Sequence, residues 1–205
     1  MIGIVDYGVG NLASVRNAFE HLGHDARLCA DPADAHGCER LVLPGVGSFR
    51  AGMQALEERG WVPALQSYAA GGRPLLGICL GMQLLLERGK EHGSSAGLGL
   101  IPGEVVRLDP APPNKVPHVG WNSLNAVVKH PLLEGVKPRV DVYFVHSYHC
   151  MPRDRADAIG LCDFGGEFVA AVARGNVAGM QFHPEKSQPA GVRILDNFAQ
   201  WDGTC

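Results

Sequence analysis

Short apolar runs alternate with amphipathic segments through the first half of the chain. Residues 2–6 are apolar up to an aspartate and predict a buried strand, and a helical stripe of apolar positions follows and ends at Gly23. The alternation continues, with predicted strands at 27–30, 40–43 and 74–78, and predicted helices at 51–58, 61–70 and after residue 79. Repeated β-α-β units favour a mainly parallel sheet with helices on both faces.

The second half of the chain has β-like runs separated by turns, and antiparallel pairing fits this pattern best. These runs are at 104–108, 116–121, 142–145, 158–162 and 168–173. A buried strand at 177–182 and a helix from about Pro189 complete the chain. We therefore predict one α/β domain over residues 1–205, with an open, mainly parallel twisted sheet flanked by helices and a partly antiparallel β extension. The segment 88–97 is the best candidate for a mobile loop.

The composition is that of an ordinary globular protein and narrows the function classes. The chain has 205 residues, 46% of them hydrophobic and 19% charged, and a formal net charge of −3 at pH 7. Because there is no basic excess, nucleic-acid binding is not expected to be the main function. No apolar stretch approaches the roughly 20 residues of a membrane span. The 6 cysteines include no C-x-x-C pair, and free thiols in a domain of this size favour the reducing cytoplasm.

Residues 8–13 (Gly-Val-Gly-Asn-Leu-Ala) match the glycine pattern of dinucleotide-binding turns. The segment lies between a predicted strand and a predicted helix, and Asp31 follows about twenty residues later. The alternative is a tight strand-to-helix turn that needs small residues for steric reasons. The pattern alone is weak, and we favour the turn.

Cys79 stands in a sequence typical of a nucleophile elbow. Residues 77–81 (Gly-Ile-Cys-Leu-Gly) follow a predicted buried strand and open a predicted helix. The two glycines are needed because strand and helix approach so closely that larger side chains would collide. Such a turn presents the thiol where open α/β sheets bind ligands and aims the Leu80 amide at a developing oxyanion. The alternative is a buried core thiol, but the glycine offsets favour a nucleophile.

A base for this thiol is predicted in residues 181–185 (Gln-Phe-His-Pro-Glu). Pro184 disfavours helical geometry at His183, so we expect an extended segment with His183 and Glu185 on the same side. The imidazole could then face the thiol while the carboxylate selects its tautomer, as in a Cys-His-Glu triad. The alternatives are a capped or surface histidine and a solvated carboxylate. The glycine-rich residues 43–48 could supply a second backbone N–H to an oxyanion, or form only a turn.

Taken together, these motifs resemble the class I glutamine amidotransferases and, among them, the glutaminase subunits of imidazole glycerol phosphate synthases. Residues 77–83 and 183–185 match the class as a whole. More selective segments occur in family order at 6–11 (Asp-Tyr-Gly-Val-Gly-Asn), 43–49 (Leu-Pro-Gly-Val-Gly-Ser-Phe), 117–122 (Pro-His-Val-Gly-Trp-Asn), 144–148 (Phe-Val-His-Ser-Tyr) and 183–187 (His-Pro-Glu-Lys-Ser). The resemblance implies a flavodoxin-like class I amidotransferase fold, and it makes residues 8–13 a family turn.

The resemblance implies glutamine hydrolysis in histidine biosynthesis. Cys79 would attack the side-chain amide of glutamine, His183 would protonate the departing ammonia, and Glu185 would hold His183 while water hydrolyses the glutamyl thioester. The backbone oxyanion donors would be those of Leu80 and Val46. The implied substrate contacts are Gly47, Gln83, Ser147 and Tyr148, and the implied partner contacts are Asn11, Trp121, Tyr143 and Lys186.

The resemblance also implies a partner chain. Ammonia would pass to a separate (β/α)8-barrel cyclase subunit, held in a heterodimer, that makes imidazole glycerol phosphate and an aminoimidazole carboxamide ribonucleotide. A barrel of roughly 250 residues does not fit within the 205 residues of this chain. No cofactor and no metal are expected, because the histidines lack H-x-x-x-H and H-E-x-x-H spacings.

The sequence departs from the family pattern in three places. Arg50 stands where a glycine is more usual, Val119 replaces a common methionine, and residues 88–96 lack the acidic run often found there. Three other interpretations stay open: a glutaminase of another synthase, a non-catalytic binding module, and a cysteine peptidase.

Overall fold

A computed structural model describes residues 1–126 and 128–204 of the chain. The helices are α1 (Leu12–His21), α2 (Phe49–Glu58), α3 (Trp61–Ala70), α4 (Leu80–Leu84) and α5 (Ala190–Gln200). The strands are β1 (Ile2–Val5), β2 (Ala26–Cys29), β3 (Arg40–Gly45), β4 (Leu75–Cys79), β5 (Leu86–Gly89), β6 (Ser95–Ala96), β7 (Ile101–Arg107), β8 (His118–Ala126), β9 (Val140–His146), β10 (Tyr148–Pro152), β11 (Ala158–Asp163), β12 (Glu167–Arg174) and β13 (Val177–Met180).

The strands form one large sheet in the order β2-β1-β3-β4-β13-β12-β10-β7-β5-β6. The pairs from β2 to β13 are parallel, and β12 begins the antiparallel part. Strand β11 leaves the main path from β12 and pairs with β8, which forms an antiparallel pair with β9. The predicted fold class is confirmed: a parallel sheet with an antiparallel β extension in the second half.

Helices cover both faces of the parallel strands. On one face, α1 and α5 pack Phe19 and Phe198 against Ile4 and Ile78 of the sheet. On the other face, α2 and α3 contribute a second core that includes Leu56 and Trp61. The parallel strands are almost continuously apolar, because both of their faces are buried. The longest helix has 11 residues, and among the described residues no helix is long and apolar enough to cross a membrane.

The helix predicted after residue 79 is only five residues long. Another segment bonds the carbonyl groups of its last residue and of the two residues that follow: Leu98 N–H donates to the Leu84 carbonyl (2.9 Å), Ile101 N–H to Leu85 (3.1 Å) and Gly99 N–H to Leu86 (3.0 Å). Strand β5 therefore begins where an isolated helix would have continued. The sequence pattern also missed β10, which pairs with β7.

The segment 88–97, predicted as a mobile loop, includes part of β5 and all of β6. Arg50 fastens it to α2, since its Nη2 donates to the His92 carbonyl (3.0 Å) and its Nε to Ser95 Oγ (3.2 Å). The Glu91 carboxylate accepts from the Phe49 amide at the start of α2 (2.8 Å). The arginine that departs from the family pattern thus anchors the segment that follows β5.

Replacing Phe198 by alanine tests the core between α1 and α5. The Phe198 side chain is fully buried, and its ring centroid lies 6.3 Å from that of Phe19 and 6.4 Å from that of Trp201. We expect Phe198→Ala to lower the free energy of unfolding by about 3–5 kcal/mol in urea titrations, since a buried phenylalanine leaves a cavity. The control Gln200→Ala, on the exposed side of α5, should change it by less than about 0.5 kcal/mol. If Phe198→Ala lowers the free energy of unfolding by less than about 1 kcal/mol, the result would contradict this packing.

Candidate active site

Cys79 occupies a sharp turn between β4 and α4. Its backbone has φ 55° and ψ −111°, a left-handed conformation that non-glycine residues adopt at a cost of about 1–3 kcal/mol. A Cβ added at Gly77 would lie 2.6 Å from the Gly81 backbone, and one added at Gly81 would lie 1.8 Å from the Leu43 carbonyl oxygen. Both glycines therefore allow the close approach of strand and helix that the sequence predicted. The thiol is 7% exposed at the carboxyl edge of the parallel strands.

His183 lies just beyond β13, the parallel neighbour of β4. Its Nδ1 is 2.9 Å from Glu185 Oε1, and the two side chains are only 7% and 1% exposed. The expectation of an extended segment is wrong beyond His183, because Pro184–Lys186 forms a 3-10 turn. Proline at the first position fits such a turn, since its missing N–H would be unpaired there. The turn brings the Glu185 carboxylate back toward the imidazole.

The contacts of the His183 imidazole favour its charged form. Burial disfavours its charged form, but hydrogen bonds to Cys79 and Glu185, and the charges of both groups, outweigh burial and raise the pKa of His183 from 6.5 to about 9. A protonated imidazole beside a sulfur atom is the arrangement that activates cysteine nucleophiles.

The backbone of His183 is held by strand β9. The His183 amide donates to the Tyr143 carbonyl at 2.9 Å. Ser187, which is fully buried, accepts from the Tyr143 amide at 2.9 Å and donates to the His183 carbonyl at 2.6 Å. These three bonds fix the backbone of His183 relative to β9 independently of the partners of its side chain.

The predicted site residues meet at a cavity of about 280 Å³ at the carboxyl edge of the parallel strands. Those that line it are Asn11, Val46, Gly47, Cys79, Leu80, Gln83, Ser147, Tyr148, His183 and Lys186. Glu185 lies behind His183, while Trp121 and Tyr143 are outside the lining. Glu91 and Val145, which were not predicted from the sequence, also line the cavity, as does His146, for which a place near the cleft was the weaker of two expectations. No group of three or more metal-ligating side chains occurs within residues 1–126 and 128–204.

A larger cavity, of about 620 Å³, lies on the antiparallel extension. It is lined by residues of β10, β11 and β12, such as His149 and Met151, and by residues outside these strands, such as Arg153, and it contains none of the predicted site residues. The smaller cavity is therefore the candidate site, because it combines a strained cysteine with a buried histidine that is paired with a carboxylate.

Gln181 is a residue of the site for which the sequence predicted no role. Its Oε1 accepts from Gln83 Nε2 at 3.0 Å, and its Nε2 lies 4.0 Å from the Cys79 sulfur. A second bond from Gln83 Nε2 reaches the Tyr148 carbonyl at 3.0 Å. The signal available in the sequence was its position two residues before His183, at the end of a buried strand.

The glycine pattern of residues 8–13 forms a tight turn. Gly8 and Gly10 have φ of 85° and 123°, and a Cβ at Gly10 would lie 3.4 Å from Pro44. Asp31 caps a 3-10 turn by accepting from the Ala33 amide at 2.8 Å. Its carboxylate therefore already has the structural role of a helix cap, and the turn interpretation accounts for both features.

An exposed apolar patch borders the cavity. Val119, Trp121 and Val145 are 57%, 56% and 41% exposed on the paired strands β8 and β9. The Trp121 and Tyr143 rings meet edge-on at 5.8 Å, and Lys186 Nζ lies 5.8 Å from the Tyr143 ring centroid. Clustered aromatic groups of this kind are common anchors at protein interfaces. Three of the four predicted partner residues thus lie together, and Asn11 lies at the cavity.

Comparisons with known proteins agree with this geometry. The family model described as "Glutamine amidotransferase class-I" matches residues 3–201. Two relatives named imidazole glycerol phosphate synthase subunit HisH come from Desulfitobacterium hafniense (strain DSM 10664 / DCB-2) and Sulfurimonas denitrificans. The first is 50% identical over 201 residues, covering 98% of this chain and 94% of the relative. The second is 48% identical over 204 residues, covering 98% of each.

Solved structures share the fold at low sequence identity. A crystal structure of a glutamine amidotransferase is 18% identical, with a TM-score of 0.76, and the match covers 98% of this chain and 99% of that one. The structure of PurLQS from Thermotoga maritima is 19% identical, with a TM-score of 0.77 and 97% of each chain covered.

The charge state of His183 can be tested by NMR titration. We expect its imidazole to titrate near pH 9, and Glu185→Gln to lower the midpoint because the amide removes the anionic partner. The control Glu57→Gln changes an exposed carboxylate on α2 and should leave the midpoint unchanged.

The same shift makes stability depend on pH. Because the folded-state pKa is raised above 6.5, the stabilisation is complete below pH 6.5 and is lost as the pH rises through about 9. The free energy of unfolding should therefore fall more steeply across this window in the wild type than in Glu185→Gln. An unchanged midpoint, or equal slopes, would contradict the assigned contacts.

Proposed function

Because the chain belongs to the class-I glutamine amidotransferase family, we propose that it hydrolyses glutamine to glutamate and ammonia as the glutaminase subunit of an imidazole glycerol phosphate synthase. The observation that carries the proposal is the strained Cys79 in one cavity with His183, whose imidazole is hydrogen-bonded to Glu185. The site requires no cofactor for this reaction, because the thiol and imidazole supply nucleophile and acid.

In the proposed reaction, the Cys79 sulfur attacks the side-chain carbonyl carbon of glutamine. His183 donates its proton to the leaving nitrogen, so ammonia departs and a glutamyl thioester remains. Water then attacks the thioester, His183 takes up a proton from it, and glutamate leaves as the Cys79 sulfur is released. Glu185 holds the imidazole in orientation and stabilises its charged form throughout.

The oxyanion of each tetrahedral intermediate needs donors that face the cavity. We assign this role to the backbone amides of Leu80 and Val46, which both line it. Gly47 lies beside Val46 with φ 96°, a conformation that lets the backbone come close to a bound ligand. For glutamine itself we propose contacts with Gly47, Gln83, Ser147 and Tyr148, which line the same cavity.

The ammonia acceptor in this proposal is a separate (β/α)8-barrel cyclase subunit. Relatives that are about half identical are named as subunits of a synthase, and a barrel needs roughly 250 residues of its own. The exposed patch with Trp121, Tyr143 and Lys186 borders the cavity, so a partner that docks there would lie next to the place where ammonia is released. The cyclase would use ammonia to form imidazole glycerol phosphate and an aminoimidazole carboxamide ribonucleotide, in a heterodimer of the cytoplasm.

Replacing Cys79 separates glutamine hydrolysis from the synthesis that uses ammonia. We expect Cys79→Ala to reduce glutamate release by on the order of 10⁴- to 10⁶-fold, as removal of a catalytic nucleophile does. Synthesis by the complex with added ammonia should stay intact, because that reaction occurs in the cyclase. Glutamate release is measured for the chain alone and with the cyclase plus a cyclase ligand, and the wild type should be strongly activated in the complex.

Cys29→Ala is the matched control, because Cys29 is also a buried thiol at the end of a parallel strand. Loss of ammonia-dependent synthesis in Cys79→Ala would contradict the assignment of glutamine hydrolysis to this chain and of synthesis to the cyclase. Full wild-type activity that the cyclase does not change would support a glutaminase of another synthase, and turnover of peptides in place of glutamine would support a cysteine peptidase.

Trp121 tests the partner surface. We expect Trp121→Ala to weaken cyclase binding by about 2 kcal/mol or more, which is about 30-fold in Kd, because it removes an exposed aromatic anchor. Isothermal titration of the two subunits measures the change. Leu28→Ala, at an exposed apolar position on β2, is the control, and equal affinities for both variants would place the interface elsewhere.

A further inference from the structure

Two buried histidines outside the proposed triad face each other on strands β8 and β9. His118 and His146 are 2% and 6% exposed and are register partners. His118 Nδ1 lies 3.0 Å from His146 Nε2. The His118 ring is stacked between Phe144, at 4.7 Å, and Phe164, at 4.0 Å. Burying two imidazoles among phenylalanines is unfavourable unless their nitrogen atoms are hydrogen-bonded.

The hydrogen-bond partners determine the tautomer of each ring. His146 Nδ1 lies 2.8 Å from the Tyr148 carbonyl, which can only accept, so Nδ1 carries the hydrogen and Nε2 is an acceptor. His118 must then donate from its Nδ1 to His146. His118 Nε2 accepts from Asn122 Nδ2 at 3.3 Å. Asn122 is oriented by its Oδ1, which accepts from the Ser123 amide at 2.8 Å.

Burial keeps both rings neutral, which this arrangement requires. It lowers the pKa of His118 to about 4 and that of His146 to about 3. A second proton on His146 would lie on Nε2, against the Nδ1–H of His118 at the 3.0 Å contact, and one on His118 would lie on Nε2, against the Asn122 amide N–H at 3.3 Å.

Hydrogen bonds connect this histidine pair to the candidate site. The Tyr148 carbonyl that accepts from His146 also accepts from Gln83 Nε2 at 3.0 Å. Gln83 in turn donates to Gln181, whose Nε2 lies 4.0 Å from the Cys79 sulfur. On the opposite side of the pair, His118 is bonded to Asn122, the residue after exposed Trp121.

We infer that His118 and His146 are positioning residues that fix the backbone of Ser147 and Tyr148 at the glutamine cavity by donating through His146 to the Tyr148 carbonyl. The inference rests on the proposed glutaminase function for its substrate. A pair of apolar side chains would fill the same space among the phenylalanines. Such a pair would leave the Tyr148 carbonyl with the Gln83 donor alone, whereas the imidazoles supply a second donor and connect this carbonyl to the strand that carries Trp121.

The tautomers can be measured without any activity assay. Nitrogen-15 NMR of the full chain at pH 7.5 should show both rings neutral, with hydrogen on Nδ1 of each. Hydrogen on Nε2 of His146, or a charged ring, would overturn the inference whether or not the chain is a glutaminase.

Kinetics with the cyclase bound supply the second test. His146→Leu removes the donor and should raise KM for glutamine by about 3- to 10-fold, the ratio expected for loss of one neutral hydrogen bond, with a smaller effect on kcat. His146→Asn keeps an N–H near the Nδ1 position and should restore most of the wild-type KM. The control His149→Leu changes a histidine that does not line the 280 Å³ cavity and should leave KM unchanged.

Equal KM values for the leucine and asparagine variants would overturn the positioning role. If His146→Leu does not fold, the tautomers of the unmodified chain and the KM of His146→Asn decide the matter. A wild-type complex that releases no glutamate would instead overturn the proposed function, while the tautomer result would stand on its own.

Discussion

The close approach of α4 to the ends of β3 and β4 is the constraint on which the rest of the structure depends. A side chain at Gly81 would place its Cβ 1.8 Å from the Leu43 carbonyl oxygen, and one at Gly77 would meet the Gly81 backbone at 2.6 Å. Only glycines allow backbones to come this near. The same contact holds Cys79 at φ 55°, because the buried strands around it leave the strained residue no room to relax.

Parallel pairing then brings the other groups to the cysteine. Met180 of β13 is the register partner of Ile78 of β4, so the residues that follow each strand come out at the same edge of the sheet. Cys79 is the last residue of one strand, and His183 lies just after the other. Among the described residues, nothing hydrogen-bonds the second Glu185 carboxylate oxygen, so this buried carboxylate acts on His183 alone, and its charge favours the imidazolium.

Local patterns predicted the parts of the molecule that local physics determines. The elbow at Cys79 needs glycines at fixed offsets, and the parallel strands are long enough apolar runs to be recognised. The pattern failed where distant backbone supplies the hydrogen bonds, as at the end of α4, where residues 98–101 donate to the carbonyl groups of residues 84–86. The sequence pattern did not reveal the role of Gln181 either, because Gln83 and Cys79, which it contacts, precede it by 98 and 102 positions. The tautomers of His118 and His146 depend on such distant partners as well.

Strand β9 serves the exposed patch and the candidate site at once. The Val145 side chain is 41% exposed, yet its carbonyl oxygen lies 3.8 Å from the Cys79 sulfur. The Tyr143 ring lies beside Trp121 and Lys186, while its backbone amide and carbonyl bond Ser187 and His183. A cyclase that packs on these side chains would therefore act directly on the backbone that holds the imidazole and faces the thiol. In the proposed complex, any shift of this strand would therefore change the geometry of the reacting groups.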